Sequence, residues 1–468
     1  MLPFNYARAR FLLCALVVSL AGCASHATGA LIPQTSSYER NDTVMSVMPT
    51  SQAVAVNTGT VAGTIGLFQV FDEFTPNEIS SSQAAADGHR YGAVWGARVG
   101  MASYWKTSNS AIAATYYMPQ ETDASFAAWG DIGHTLAWWQ ANHPDWILYA
   151  CTSAGTPTKT PAYISGLPDN VPLDIHNPDV VAYQVKLAAN YAIAEGYTGL
   201  AFDEVLFENV TGMGVASTDY GCGIYEGSTF VRRYTGRTDP AWTTDTVAWV
   251  KTARSILKTD SVIGPKNLKL IVNHPAANPI TANEEAVLTN VDADVDEAGF
   301  SDYGNYKAAG MSGLAMATVK WMAYAQSVGT VPLIIDKFDQ SAAVTSLQLE
   351  YSIATYLLGD TSSARLFVGN SPGYGAEQYH TEYATNFGAP CATYYGGATY
   401  DASNPNIYYR KFVNALVVVN PGSLPRASEV AHLPAGHTYT DLEHRTVTNP
   451  LTVNSSDAYV LLTTSGCS

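Results

Sequence analysis

Carboxylates that follow apolar runs are the most chemically suggestive feature of this sequence. Asp203 and Glu204 come directly after Leu200-Ala201-Phe202, Asp296 and Glu297 lie in the run ADVDEA, and Asp336 with Lys337 follows VPLII. A buried parallel strand reads as an unbroken apolar run, so acids at its end are expected only where something uses them. Hydrolysis of a glycosidic bond needs two such groups, one an anion and the other a proton donor with a raised pKa. The pattern favours Asp203 as nucleophile and Glu297 as acid/base. Asp336 is the alternative second carboxylate, or else a substrate-binding residue. Glu204 adjoins Asp203 on an extended segment, where neighbours point to opposite sides, and is expected either to face outward or to support the site from behind. Glu208 is expected to be structural.

Residues able to hold a sugar surround these acids. Asn273 and His274 end the run LKLIVNH, where Asn273 suits a 2-hydroxyl and His274 another hydroxyl. Trp95, Tyr117 and Tyr149 fall in or just after the first three apolar runs, and the C–H faces of sugars stack on such rings. There is no phosphate-cradling Gly-rich loop, no Gly-x-Ser-x-Gly elbow and no Cys-x-x-Cys or His-rich spacing. Neither a cofactor nor a metal is therefore expected.

Eight short apolar runs would position these side chains. They are Ala93 to Ala97, Ile112 to Tyr117, Trp146 to Ala150, Thr198 to Phe202, Leu268 to Val272, Ala293 to Ala298, Val331 to Ile335 and Ala364 to Val368. Eight strands close a (β/α)8 TIM barrel, whose active site lies at the strands' C-terminal ends. Helices between the runs carry their own signals. Asn177-Pro178 and Asp239-Pro240 each cap and open an apolar stripe, and Gly196 ends the first. From about Tyr408 the pattern changes to short strands separated by turn residues, which predicts a small C-terminal antiparallel β-sandwich.

The 468-residue chain begins with Arg8 and Arg10, a short apolar run from Phe11 to Leu20, and then Leu20-Ala21-Gly22-Cys23. This reads as a signal peptide too short to span a bilayer, ending like a bacterial lipobox in which Cys23 is lipidated. Ala24 after the cysteine favours an outer-membrane anchor, periplasmic or surface-facing. The expected organisation is a signal peptide over 1–22, a flexible tether over 23–65, the barrel over 66–400 and the sandwich over 401–468. Removing residues 1–22 deletes two arginines and no acid, taking the formal charge from −16 to −18. That acidity argues against nucleic acid as a partner and favours neutral or basic substrates. Beyond Cys14 and Cys23, four cysteines remain for an oxidising compartment. Of three possible connectivities, Cys151 with Cys222 and Cys391 with Cys467 is favoured.

Several phrases carry a resemblance: VWGAR at 94–98, NHPDWILYACTS at 142–153, VPLDIHNPDVVAYQ at 171–184, GYTGLAFDEVLFENV at 196–210, VNHPAANP at 272–279, DEAGFSDYGNY at 296–306, EYSIATYLLGD at 350–360 and EQYHTEYATNFGAPC at 377–391. Through them the chain resembles the hypothetical glycosyl hydrolase family 15, a group of glycosidase-like bacterial barrel proteins. The resemblance implies a barrel and a polysaccharide substrate. The analogy to retaining barrel glycosidases adds a nucleophile after the fourth strand.

The expectation is a lipid-anchored glycoside hydrolase acting on an extracellular or cell-envelope polysaccharide through two carboxylates, preferably with retention. The alternative is a non-catalytic glycan-binding surface lipoprotein on the same barrel. Hydrolysis of a non-glycosidic bond such as an ester would require an activated nucleophile and oxyanion donors, which the sequence does not display.

Overall fold

A computed structural model describes residues 63–468 apart from 75, 125–129, 131, 165–166, 168–169, 308–312, 397–405, 423–427, 465–466 and 468. The expected signal peptide, Cys23 and most of the tether lie outside the described residues.

Eight parallel strands close into a barrel: β1 (Leu67–Val70), β2 (Tyr91–Trp95), β3 (Ala113–Pro119), β4 (Gly199–Asp203), β5 (Lys269–Asn273), β6 (Ala293–Asp296), β7 (Val331–Phe338) and β8 (Arg365–Asn370). Each pairs with its neighbours in sequence, and β8 returns to β1 with Leu366 opposite Leu67. The crossovers carry helices α1 (Ser81–Asp87), α2 (Ala102–Ser108), α3 (Pro178–Glu195), α4 (Pro240–Thr259), α5 (Ala282–Leu288), α6 (Leu314–Ser327) and α7 (Ser346–Gly359). The TIM barrel expected from the sequence is the fold. Among the described residues no helix is long and apolar enough to cross a membrane.

Two strand assignments differ from the sequence pattern. The first barrel strand, β1, is LFQV, which directly follows the expected tether. Conversely, Trp146 to Ala150 lies outside the barrel wall. Ile147 is buried with Trp139, Leu173 and Val180 in a small separate core, and Tyr149–Cys151 joins an antiparallel side sheet. One strand gained and one lost leave Asp203 at the end of the fourth strand.

The side sheet is built from the two loops that flank β4. Its order is Thr229–Arg232, Tyr220–Glu226, Tyr149–Cys151 and Pro157–Pro161. The Cys151–Cys222 disulfide ties its two middle strands, and Cys391–Cys467 ties the C-terminal end back, as expected. Helices α3 and α4 begin where the sequence placed them. The Asn177 side chain accepts from Asp179 N, the Asp239 side chain accepts from Ala241 N, and Gly196 ends α3 with φ 77°.

Beyond the barrel, Tyr395–Gly396, Tyr408–Phe412, Ala415–Asn420 and Asp457–Leu462 form a four-stranded antiparallel sheet, accompanied by the pair Glu429–Ala431 and Leu451–Val453. Tyr409, Leu416, Val418 and Leu461 on the larger sheet enclose a second core with Leu433 and Val453. Arg410 docks this unit on the barrel by donating to the carbonyls of Leu357, Leu358 and Asp360 at the end of α7.

Candidate active site

Parallel register brings the site together. Phe202 of β4 lies opposite Val272 of β5, so the next residues, Asp203 and Asn273, emerge side by side at the C-terminal mouth. On β6, Val295 lies opposite Asn273, and Glu297 follows two residues later. The cleft above them has a volume of about 300 Å³, and its walls include Asp203, Glu204, Asn273, Asp296, Glu297 and Tyr303.

Asp203 is only 5 % exposed, and burial raises its pKa. Three donors oppose that effect. The Tyr117 hydroxyl donates to Oδ2, while Asn273 Nδ2 at 2.8 Å and the Glu204 backbone N–H at 2.9 Å donate to Oδ1. Hydrogen bonds to the charged form favour it, so the fold takes this carboxylate out of water and replaces hydration with fixed donors.

Glu297 is half-buried. Burial pushes its pKa up most, Lys337 pulls it down, and the charge on Asp203 pushes it up again. Tyr374 donates its hydroxyl to Oε1 at 2.9 Å, and Asn273 Nδ2 lies 3.4 Å from Oε2. A single amide nitrogen thus touches both carboxylates. The 2.8 Å and 3.4 Å contacts together limit the separation of those two oxygens to 6.2 Å.

Besides Asp296 in the cleft wall, two further acids belong to the cluster. Glu204 lies in the left-handed region, with φ 58°, and that turn breaks the strand alternation and returns its side chain to the cleft. Of the two expected positions, the outward-facing one is ruled out, and Glu204 lines the cleft beside Asp203. Burial, and then the charges of Asp203 and Glu297, push its pKa well up. Glu121, two residues past β3, is fully buried, and neither carboxylate oxygen has a hydrogen-bond partner among the described residues. Burial raises its pKa well above the usual range, with Glu204 the next largest cause. Gln184 of α3 holds this segment by donating to the carbonyls of Gln120 and Thr122, and Gln120 N donates to the Asp203 carbonyl at 2.9 Å. Glu121 satisfies the same criterion of an acid at a strand end. It escapes notice because Met118-Pro119 looks like a loop but belongs to β3.

The other expected site residues separate into cleft and support. Tyr117 holds Asp203 and meets Trp95 edge to face, 6.1 Å between ring centres, and Trp95 is only 2 % exposed. Trp95 therefore shapes the floor without presenting a face for stacking. Tyr149 packs on Tyr225 in the side sheet, 5.0 Å between centres, and is not in the cleft wall. His274 is buried with both ring nitrogens engaged, Nδ1 at 2.6 Å from the Val205 carbonyl and Nε2 at 3.0 Å from Glu284 Oε1. Burial pulls its pKa down, but Glu284 outweighs this and holds it up at about 9. It is a protonated brace that pins the loop after β4 to α5, with no nitrogen left for a sugar hydroxyl. Asp336 is also buried and accepts from Phe300 N at 3.2 Å, Ser301 N at 2.9 Å and the Ser352 hydroxyl. Its role is to fix the loop after β6, outside the cleft wall. Glu208 pairs with Arg237 at 2.9 Å.

Lys337 is a cation whose charge acts on Glu297. Its Nζ lies 4.9 Å and 5.1 Å from the ring centres of Tyr303 and Tyr374 and 3.3 Å from Asp339 Oδ1. Tyr374 in turn packs against Phe74 and Phe71, and Phe71 against Tyr117, so an aromatic wall links the donors of the two carboxylates. Among the described residues no group of three or more His, Cys, Asp or Glu could hold a metal ion.

No protein-family model matches the chain, and no curated protein sequence matches it. Solved structures to which it is similar include three glycoside hydrolases. A maltogenic alpha-amylase from Thermotoga neapolitana is 13% identical, with a TM-score of 0.43 over 87% of this chain and 99% of that one. A cyclic alpha-maltosyl-(1→6)-maltose hydrolase from Arthrobacter globiformis is 10% identical, with a TM-score of 0.42 over 85% and 98%. An alpha-galactosidase from Geobacillus stearothermophilus is 11% identical, with a TM-score of 0.40 over 86% of this chain and 56% of that one. What this chain's cleft can do rests on its own side chains.

Proposed function

We propose that this protein is a glycoside hydrolase in which Asp203 is the nucleophile and Glu297 the acid/base. The observation that carries this reading is the Asn273 amide, which touches both carboxylates and keeps their near oxygens within 6.2 Å. Retaining enzymes hold the two carboxyl groups about 5 to 5.5 Å apart, whereas inverting enzymes leave roughly 6.5 to 9.5 Å for a water. In the first step an Asp203 oxygen attacks the anomeric carbon while Glu297 protonates the departing glycosidic oxygen. In the second, Glu297 takes a proton from water, the hydroxide adds to the anomeric carbon and Asp203 is released. The donors around Asp203 suit an anion, and the burial of Glu297 suits an acid.

The acids in the cleft repel polyanions, which supports a neutral or amino-sugar polysaccharide. The resemblance to the hypothetical glycosyl hydrolase family 15 supports the same class. The N-terminal pattern ending in Cys23 and the two disulfides support a lipid-anchored protein of the cell envelope. Reducing-end release from a panel of neutral and amino polysaccharides tests the activity. Wild type is expected to cleave at least one, and Asp203→Asn and Glu297→Gln to lose at least a thousandfold in rate on it. Full activity in both variants would sink the assignment. Glycan binding without cleavage would favour the non-catalytic alternative.

A further inference from the structure

A second cavity of about 210 Å³ lies at the other end of the barrel. It is walled by residues at or near the start of the strands, among them Gly92 of β2, Ala113 of β3, Lys269 of β5 and Arg365 of β8, with Lys266 also in its lining. Barrel interiors are ordinarily filled by branched apolar side chains. This one holds a guanidinium.

Arg365 is 2 % exposed, and its Nη2 has no hydrogen-bond partner among the described residues. Asp360 acts on it only through its charge, since that carboxylate accepts from the backbone N–H groups of Ser362 at 2.9 Å and Ala364 at 3.2 Å. Buried charges are normally paired. Room for this one is made at Gly92, where a Cβ would lie 2.0 Å from the Arg365 Cζ. Two lysines and one acid share the lining with it. Lys266 is exposed, and Asp292, the acid in the lining, is already shared by Arg254 at 2.5 Å and Lys269 at 3.3 Å. In a chain with a formal charge of −16, this is a local concentration of basic groups, one of them a buried guanidinium whose Nη2 is unsatisfied among the described residues.

We propose that this cavity is a binding site for a small oxyanion, a phosphate or carboxylate group, received by Arg365 with Lys266 at its mouth. A guanidinium fork matches the geometry of such groups, and the low-dielectric wall strengthens the contact. The site is at the opposite end of the barrel from Asp203 and does not depend on the chemistry proposed there.

Titration calorimetry of the purified protein with inorganic phosphate and with acetate, at constant ionic strength and with chloride as control, tests it. Wild type is expected to bind one of the two saturably and to melt a few degrees higher in its presence, roughly as ligand linkage requires. Lys266→Gln is expected to bind at least threefold more weakly, and Arg365→Met to lose binding. Tighter phosphate marks a dianion site and tighter acetate a carboxylate site. Absence of saturable binding of either, or unchanged affinity in both variants, overturns the proposal. Should Arg365→Met fail to fold, the exposed Lys266→Gln variant decides alone.

Discussion

Asn273 Nδ2 donates to Asp203 Oδ1 across 2.8 Å, from the last residue of β5 to the last residue of β4. The pairing register of two adjacent strands produces this contact, so it is as rigid as the barrel. Asn273→Ala removes a donor from Asp203 and the link to Glu297. The rate is expected to fall on the order of a hundredfold, with little change in melting temperature. Initial rates and a thermal melt of the same preparation check this, and a rate within twofold of wild type would contradict it.

Tyr374 donates to Glu297 and thereby favours its charged form. Tyr374→Phe removes that donor, so Glu297 should keep its proton to higher pH. The alkaline limb of the pH–rate profile, where the acid is lost, is expected to move to higher pH in the variant. A limb that stays put, or moves to lower pH, would mean that another group supplies the proton.

His274 and Glu284 make a pH-dependent brace. Folding raises the His274 pKa from 6.5 to about 9, so its stabilisation is complete below about pH 6.5 and is lost as pH rises through about 9. The window is worth about 3 kcal/mol. Melting temperature should therefore fall between those two pH values, and His274→Gln should flatten that part of the curve. Parallel curves for the two proteins would remove the brace from the account.

Glu121 has the same pH sense as His274 but a different origin, a burial penalty with no partner to offset it among the described residues. Its pKa is raised on folding, so the folded state holds a proton that the unfolded chain gives up, and this penalises folding increasingly above the ordinary glutamate range. Glu121→Gln keeps the shape without the ionisable proton. Chemical denaturation at pH 8 should find the variant more stable than wild type, with the difference shrinking towards pH 4. A variant less stable at pH 8 would contradict the burial argument.

The parts of this site that were legible in the sequence are those decided locally. A buried strand is marked by its apolar run, so Asp203 and Asn273 at the ends of β4 and β5 could be read directly, as could the caps at Asn177 and Asp239. Hydrophobicity does not say which sheet a run joins. Trp146 to Ala150 looks like a barrel strand because Ile147, Leu148 and Ala150 are buried, but Ile147 is buried against Trp139, Leu173 and Val180, and the run pairs into the side sheet and not into the barrel. The strand β1 was hidden by its shortness and by Gln69, a polar residue that is fully buried inside it. Strand alternation does not extend to Glu204, because its backbone enters a left-handed turn that sequence pattern does not mark. His274 and Asp336 look like site residues from their positions. Only the three-dimensional structure reveals that Val205, Glu284, Phe300, Ser301 and Ser352 occupy them.

The Asp203 and Glu297 geometry makes a commitment about stereochemistry. Proton NMR of the first-formed reducing end, on whichever polysaccharide proves to be cleaved, reads it before mutarotation. With Asp203 as nucleophile and one oxygen of each carboxylate on the same Asn273 amide, the proposed reaction gives a product with the anomeric configuration of the substrate. An inverted product would contradict Asp203 as a covalent nucleophile.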